Sequence, residues 1–107
     1  MPKVLLSVSF DADFSVEEPY EKTLARAHEL VGHPGLIWKI WLRDEANARA
    51  GGAYLFEDRA SAEAWAEGEM SYSAERFPWI HNLEYSYGEV REELSEITLA
   101  PLVAPQS

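Results

Sequence analysis

At 107 residues the chain has the length of one domain, and 47% hydrophobic with 12% aromatic residues excludes a disordered segment. A formal net charge of −10 sets it against phosphate backbones and anionic lipid, so neither a nucleic-acid nor a membrane partner is expected. The absence of cysteine excludes disulfides, thiolate nucleophiles, iron–sulfur clusters and Cys-ligated zinc.

The N-terminal run Val4–Phe10 is too short for a signal-peptide core, and no window approaches a membrane span, which makes a cytoplasmic location the default. In that run Val4, Leu6, Val8 and Phe10 alternate with Leu5, Ser7 and Ser9, as in a strand with one apolar face. Asp11-Ala12-Asp13 breaks it. A helix follows, with Val16, Tyr20, Leu24, Ala27 and Val31 on one stripe. Its start has two readings, a capping box from Ser15 to Glu18 or Pro19 at the first helical position. Glu18 and Lys22 have the i,i+4 spacing of an exposed ion pair. Gly32 stops the helix, and His33-Pro34-Gly35 turns the chain.

A second strand runs from Leu36 to Leu42, with Leu36, Trp38, Ile40 and Leu42 on one side and Ile37 and Trp41 on the other. After the polar loop Arg43–Ala50 and Gly51-Gly52, a third strand Ala53–Phe56 is apolar on both sides. A second helix starts near Ala60, its stripe made of Ala62, Trp65, Ala66, Met70, Ala74 and Phe77. Gly68 weakens its middle and Pro78 ends it. Leu83, Tyr85 and Tyr87 alternate with Glu84 and Ser86 in a fourth strand.

The order strand, helix, strand, strand, helix, strand is that of the α+β, ferredoxin-like βαββαβ sandwich. It implies one domain, 1–107, with a four-stranded antiparallel sheet, two main helices on one face and a C-terminal arm over 90–107. Two helices cover only one face, yet the middle strands are apolar on both. A soluble chain therefore needs a cover for the second face, and a homodimer with stacked sheets supplies one. Leu94, Ile97, Leu99, Leu102 and Val103 are too apolar for a free terminus, so the arm is expected across the partner or along a sheet edge.

The stretch Pro34–Trp41 (PGLIWKIW), Asn47 in the loop, Ala50–Phe56 (AGGAYLF) and a helix opening with SAEAW resemble the YdhR-like family. The likeness covers about residues 3–100. It implies a dimeric αβ barrel of the superfamily that also holds the antibiotic-biosynthesis monooxygenases. For activity it implies oxygenation of a small phenol- or anthrone-like aromatic by dioxygen, with no metal, flavin or other cofactor. The C-terminal third, SYSAERFPWIHNLEYSY, departs from the family in its aromatic content.

Standard catalytic motifs are absent: no phosphate loop, dinucleotide fingerprint or nucleophile elbow. His28, Glu29 and His33 come close to a zinc-protease motif, but the second histidine is one residue too far, so no metal site is expected. His81, beside Trp79, reads as a surface residue.

The aromatic set is the stronger signal. Trp38, Trp41, Tyr54, Trp65 and Tyr85 lie on the second to fourth strands and the second helix, as candidate substrate-binding residues. Alternation separates Trp38 from Trp41, so one faces the helices and the other the presumed dimer layer. Lys39 shares the Trp41 side with Arg43, and a lysine mid-strand between apolar faces needs a partner or a wet cavity. For oxygenation, Trp41, Tyr54 and Trp65 would form an aromatic slot, Asn47 and Arg43 would donate to the substrate oxygen, and His28 would take the proton. The same parts would suit a polyketide cyclase or isomerase, or a non-catalytic dimer binding a hydrophobic ligand. The plainest alternative is that these rings are core and interface packing.

Overall fold

The computed structural model describes residues 2–70 and 76–103. Its strands are β1 (Val4–Ala12), β2 (Leu36–Asp44), β3 (Arg49–Phe56) and β4 (Ile80–Glu89). Its helices are α1 (Tyr20–Leu30), α2 (Arg59–Ala64, continued as a π-helical stretch Trp65–Met70) and α3 (Glu92–Ile97). The strands form one antiparallel sheet in the order β2-β3-β1-β4, the ferredoxin-like α+β arrangement. No helix among the described residues is long and apolar enough to cross a membrane.

Alternation on β1 buries Val4, Leu6, Val8, Phe10 and Ala12 on the helix side. The register pairs Val4 with Phe56 and Leu6 with Tyr54, so β3 adds those two rings to the same face. Ala62, Trp65, Ala66 and Met70 close over them and complete the core. The α2 stripe is thus as expected as far as it is described; Ala74 lies outside the described residues. Asp58 caps α2 by accepting from the Ser61 amide at 2.8 Å, which sets the start at Arg59.

Three local readings differ from expectation. The β2–β3 register shifts between Leu36 and Trp38. Ile37 is absorbed in this irregularity, so Leu36 sits opposite Phe56 and packs on the core, on the side away from Trp38. In α1, Tyr20 and Leu24 are exposed, at 73% and 42%, as are Val16 before the helix at 50% and Val31 just after it at 81%, and no α1 residue is buried. The half-buried face is Thr23, Arg26, Ala27 and Leu30. Four of the five stripe residues expected inside lie outside, because α1 roofs a cavity with Thr23 and Arg26 turned inward and does not pack flush on the sheet. The arm contains α3, which its short run of polar and apolar residues did not announce.

The second sheet face carries Trp38, Ile40, Leu42, Ala53 and Leu55. Trp38 Nε1 donates to the Pro101 carbonyl at 2.8 Å, and Leu55 and Leu102 are buried. The arm thus covers one end of this face within its own chain. Ile40 and Leu42 remain about half exposed, at 51% and 54%.

Candidate active site

A cavity of about 640 Å³ separates the helix side of the sheet from α1. Val8, Phe10, Lys39, Trp41 and Tyr54 form its floor, Trp65, Met70, Phe77 and Trp79 its walls. Thr23, Arg26 and Leu30 of α1 are its roof.

Lys39 reaches this space by running over Gly52, the β3 residue opposite Trp41, which has no side chain to block the stem. A Cβ on Gly52 would lie 3.0 Å from Lys39 Cε and 2.8 Å from the Ile40 carbonyl oxygen. The ammonium sits 3.2 Å from the Trp41 ring centroid and 4.5 Å from that of Tyr54. It has no hydrogen bond or ion pair among the described residues. Burial lowers its pKa to about 7, and the charge of Arg26 acts in the same direction.

Tyr54 lies 4.4 Å from Trp65, ring to ring, and burial pushes its phenol well above the ordinary range, with Arg26 opposing. Trp79 meets Phe10 edge-to-face at 5.6 Å, and its buried Nε1 has no partner among the described residues.

The polar groups cluster at the roof and mouth. Glu18 accepts from Arg26 and, at 2.9 Å, from Thr23 Oγ1. Burial disfavours its charge, but these bonds outweigh it and hold the carboxyl below its usual pKa. Arg43 donates to both carboxylate oxygens of Glu17, at 2.8 and 2.9 Å, and to Glu45, with its guanidinium 4.0 Å from the Phe14 ring. These bonds raise its pKa further, Glu17 first. His33 stands 3.8 Å from Glu69 and edge-on to Phe56.

Five of the residues singled out from the sequence thus meet at one cavity: Lys39, Trp41, Arg43, Tyr54 and Trp65. The other four do not line it. Trp38 is on the opposite sheet face. Tyr85 is exposed on β4, edge-on to Tyr87. Asn47 is exposed in the β2–β3 loop, its side-chain amide donating to Asp44 at 2.8 Å. His28 is exposed on the outer side of α1.

Sequence reasoning did not foresee Glu18, Thr23, Arg26, His33 or Trp79 at this site. The aromatic excess of the C-terminal third was the available signal for Trp79 and Phe77. Nothing in the spacing marked Arg26, because α1 was phased on its apolar residues. Among the described residues no group of three or more His, Asp or Glu side chains is placed to hold a metal ion.

A family model described as "Putative mono-oxygenase ydhR" matches residues 5–101. The chain belongs to the YdhR family. Solved structures extend the likeness of this YdhR-family protein at the level of the fold. A protein of unknown function from Nitrosomonas europaea is 20% identical, with a TM-score of 0.63 over 85% of this chain and 91% of its own. A variant of SnoaB, a cofactor-independent oxygenase from Streptomyces nogalater, is 18% identical, with a TM-score of 0.61 over 86% and 96%. The heme-degrader MhuD from Mycobacterium tuberculosis, with two hemes bound in its active site, is 20% identical, with a TM-score of 0.59 over 82% and 95%. Among curated proteins none matches the chain.

Proposed function

We propose that this YdhR-family protein is a cofactor-independent monooxygenase acting on a small, acidic aromatic such as a phenol or anthrone. The observation that carries the reading is an aromatic-lined cavity holding an amine with no carboxylate partner among the described residues. Its volume, about 640 Å³, falls within the ~300–1,000 Å³ typical of small-molecule sites. Trp41, and Tyr54 with Trp65 packed against it, would present aromatic faces to a planar ring in the cavity. Lys39 and Arg26 would attract its anion strongly, because the surroundings screen charge far less than water does.

The chemistry needs little from the protein beyond these parts. The anion passes an electron to dioxygen, the radical pair joins through a carbon–oxygen bond, and the resulting hydroperoxide loses water. For a CH₂ flanked by aromatic rings, the carbon becomes a carbonyl with one oxygen atom, and the other leaves as water with both hydrogens. The substrate is its own reductant, so electrons balance without a cofactor. Arg43, saturated by Glu17 and Glu45, would act at the mouth by fixing the Phe14 segment. The walls would keep water from the radical pair.

The test is dioxygen uptake with anthrone, 2-naphthol and 2-methoxynaphthalene, beside Trp fluorescence titrations made without oxygen. Uptake with the ionisable compounds alone, lost in Trp41→Ala, is expected. Quenching without uptake would leave a cyclase, isomerase or simple binder. The absence of both quenching and uptake would overturn the proposal.

A further inference from the structure

His28 stands outside the cavity, so whatever removes the substrate's proton must come from its lining. The geometry points to Lys39 as that proton acceptor: the substrate enters neutral, gives its proton to Nζ, and stays as the anion beside the new ammonium. This rests on the monooxygenase reading but assigns Lys39 a role beyond that of a counter-ion. In the transfer the O–H bond of a phenol, or one C–H bond of an anthrone methylene, breaks; its electron pair stays on the substrate, and an N–H bond forms.

Three features support it. First, the amine is the cavity's uncommitted base among the described residues. The other titratable groups around it are tied up or turned toward water. Glu18 is held by Arg26 and Thr23, Glu17 by Arg43, and His33 faces Glu69. Glu29, Tyr20, Glu69 and Arg76 lie at exposed positions on the rim, and Tyr54 keeps its proton. Second, the position is built: the missing side chain at Gly52 admits the lysine stem. Third, both products of the transfer are met. The ring faces of Trp41 and Tyr54, 3.2 and 4.5 Å away, stabilise the ammonium, and Arg26 favours the anion. An acceptor that is free of its proton near neutrality suits this task better than an ordinary lysine.

A count of protons on ligand binding decides the matter. 2-Naphthol is titrated into the protein without oxygen at pH 8, in a weak buffer with an indicator dye, while the naphtholate absorption band is followed. As proton acceptor, Lys39 takes up the proton internally: naphtholate forms and close to no proton reaches the buffer. As a pre-charged counter-ion, it would force release of close to one proton per ligand. A release near one, a bound naphthol that stays neutral, or no binding would each overturn the inference.

Two variants add an independent check. Lys39→Met should bind 2-methoxynaphthalene as wild type does but leave bound naphthol neutral. Lys39→Arg should release about one proton per naphthol, and its kcat/KM at pH 7–8 should fall by about 10²-fold and recover as pH rises and the free substrate ionises unaided. Oxygen uptake by Lys39→Met within threefold of wild type would overturn the base role while sparing the monooxygenase. Naphtholate formation without any oxygen uptake would do the reverse.

Discussion

Replacing Lys39 by methionine should stabilise this protein, by an amount that depends on pH. Unfolded, Lys39 titrates near 10.5; folded, near 7. Below about pH 7 both states carry the proton, and the fold bears the full cost of a desolvated ammonium. Between about 7 and 10.5 the folded state has released a proton that the unfolded state still holds, so stability rises with pH. The difference between 10.5 and about 7, at 1.36 kcal/mol per pH unit, is about 5 kcal/mol. The ring contacts with Trp41 and Tyr54 return about 1–2 kcal/mol of this. Methionine keeps most of the stem and loses both effects. Lys39→Met should therefore exceed wild type by about 3 kcal/mol at pH 6, a gap that narrows to about 1.4 kcal/mol by pH 9.5, one unit below the unfolded value. Urea titrations of both proteins at one fixed concentration, in steps from pH 6 to 9.5, measure it. Titrations shared by the two proteins cancel in the difference, and stopping at 9.5 avoids ionisation of tyrosines in the unfolded chain. A gap independent of pH, or a variant less stable than wild type at pH 6, would refute the burial of a lone amine.

Gly52→Ala puts a methyl group against the Ile40 carbonyl, which cannot yield as a side chain could. It should cost about 1–3 kcal/mol in urea melts and weaken naphthol binding by displacing the lysine stem. Leu102→Ala empties a buried site on the second sheet face and should cost about 2–4 kcal/mol, whereas exposed Val103→Ala should change little. A homodimer through Ile40 and Leu42 should scatter light as about twice the 12.1 kDa chain, and Leu42→Glu should halve that mass; a monomeric wild type would sink the idea. Removing residues 92–107 should weaken that dimer, and an unchanged dissociation constant would show that the arm serves only its own subunit.

The sheet was legible because alternation on β1 and the two-sided apolar character of β2 and β3 leave few other arrangements. The same alternation placed Lys39, Trp41 and Arg43 together and opposite Trp38. Misreadings arose where one residue resets a phase or where the inner face is polar. Ile37 shifts Leu36 to the core without any Gly or Pro to announce it. Arg26 and Thr23 face inward because Glu18 meets them there, a pairing across a helix start that helical spacing rules do not score. His28 and His33 were judged against a metal motif, and only the direction of α1 shows which one reaches the cavity.

The shallow seating of α1 has a kinetic meaning. β1 and β3 hold the largest fully buried side chains, Val4, Leu6, Leu55 and Phe56, whereas α1 has no buried side chain. Opening the roof therefore gives up far less apolar contact than opening the floor. Amides of Thr23–Leu30 should exchange with deuterium through local excursions, orders of magnitude faster than those of Leu6 and Leu55, which wait for global unfolding. A bulky planar molecule can thus enter and leave by partial detachment of one helix while the sheet that aims Lys39 stays intact. Ligand release would then follow the stability of α1 alone, separable from that of the whole fold.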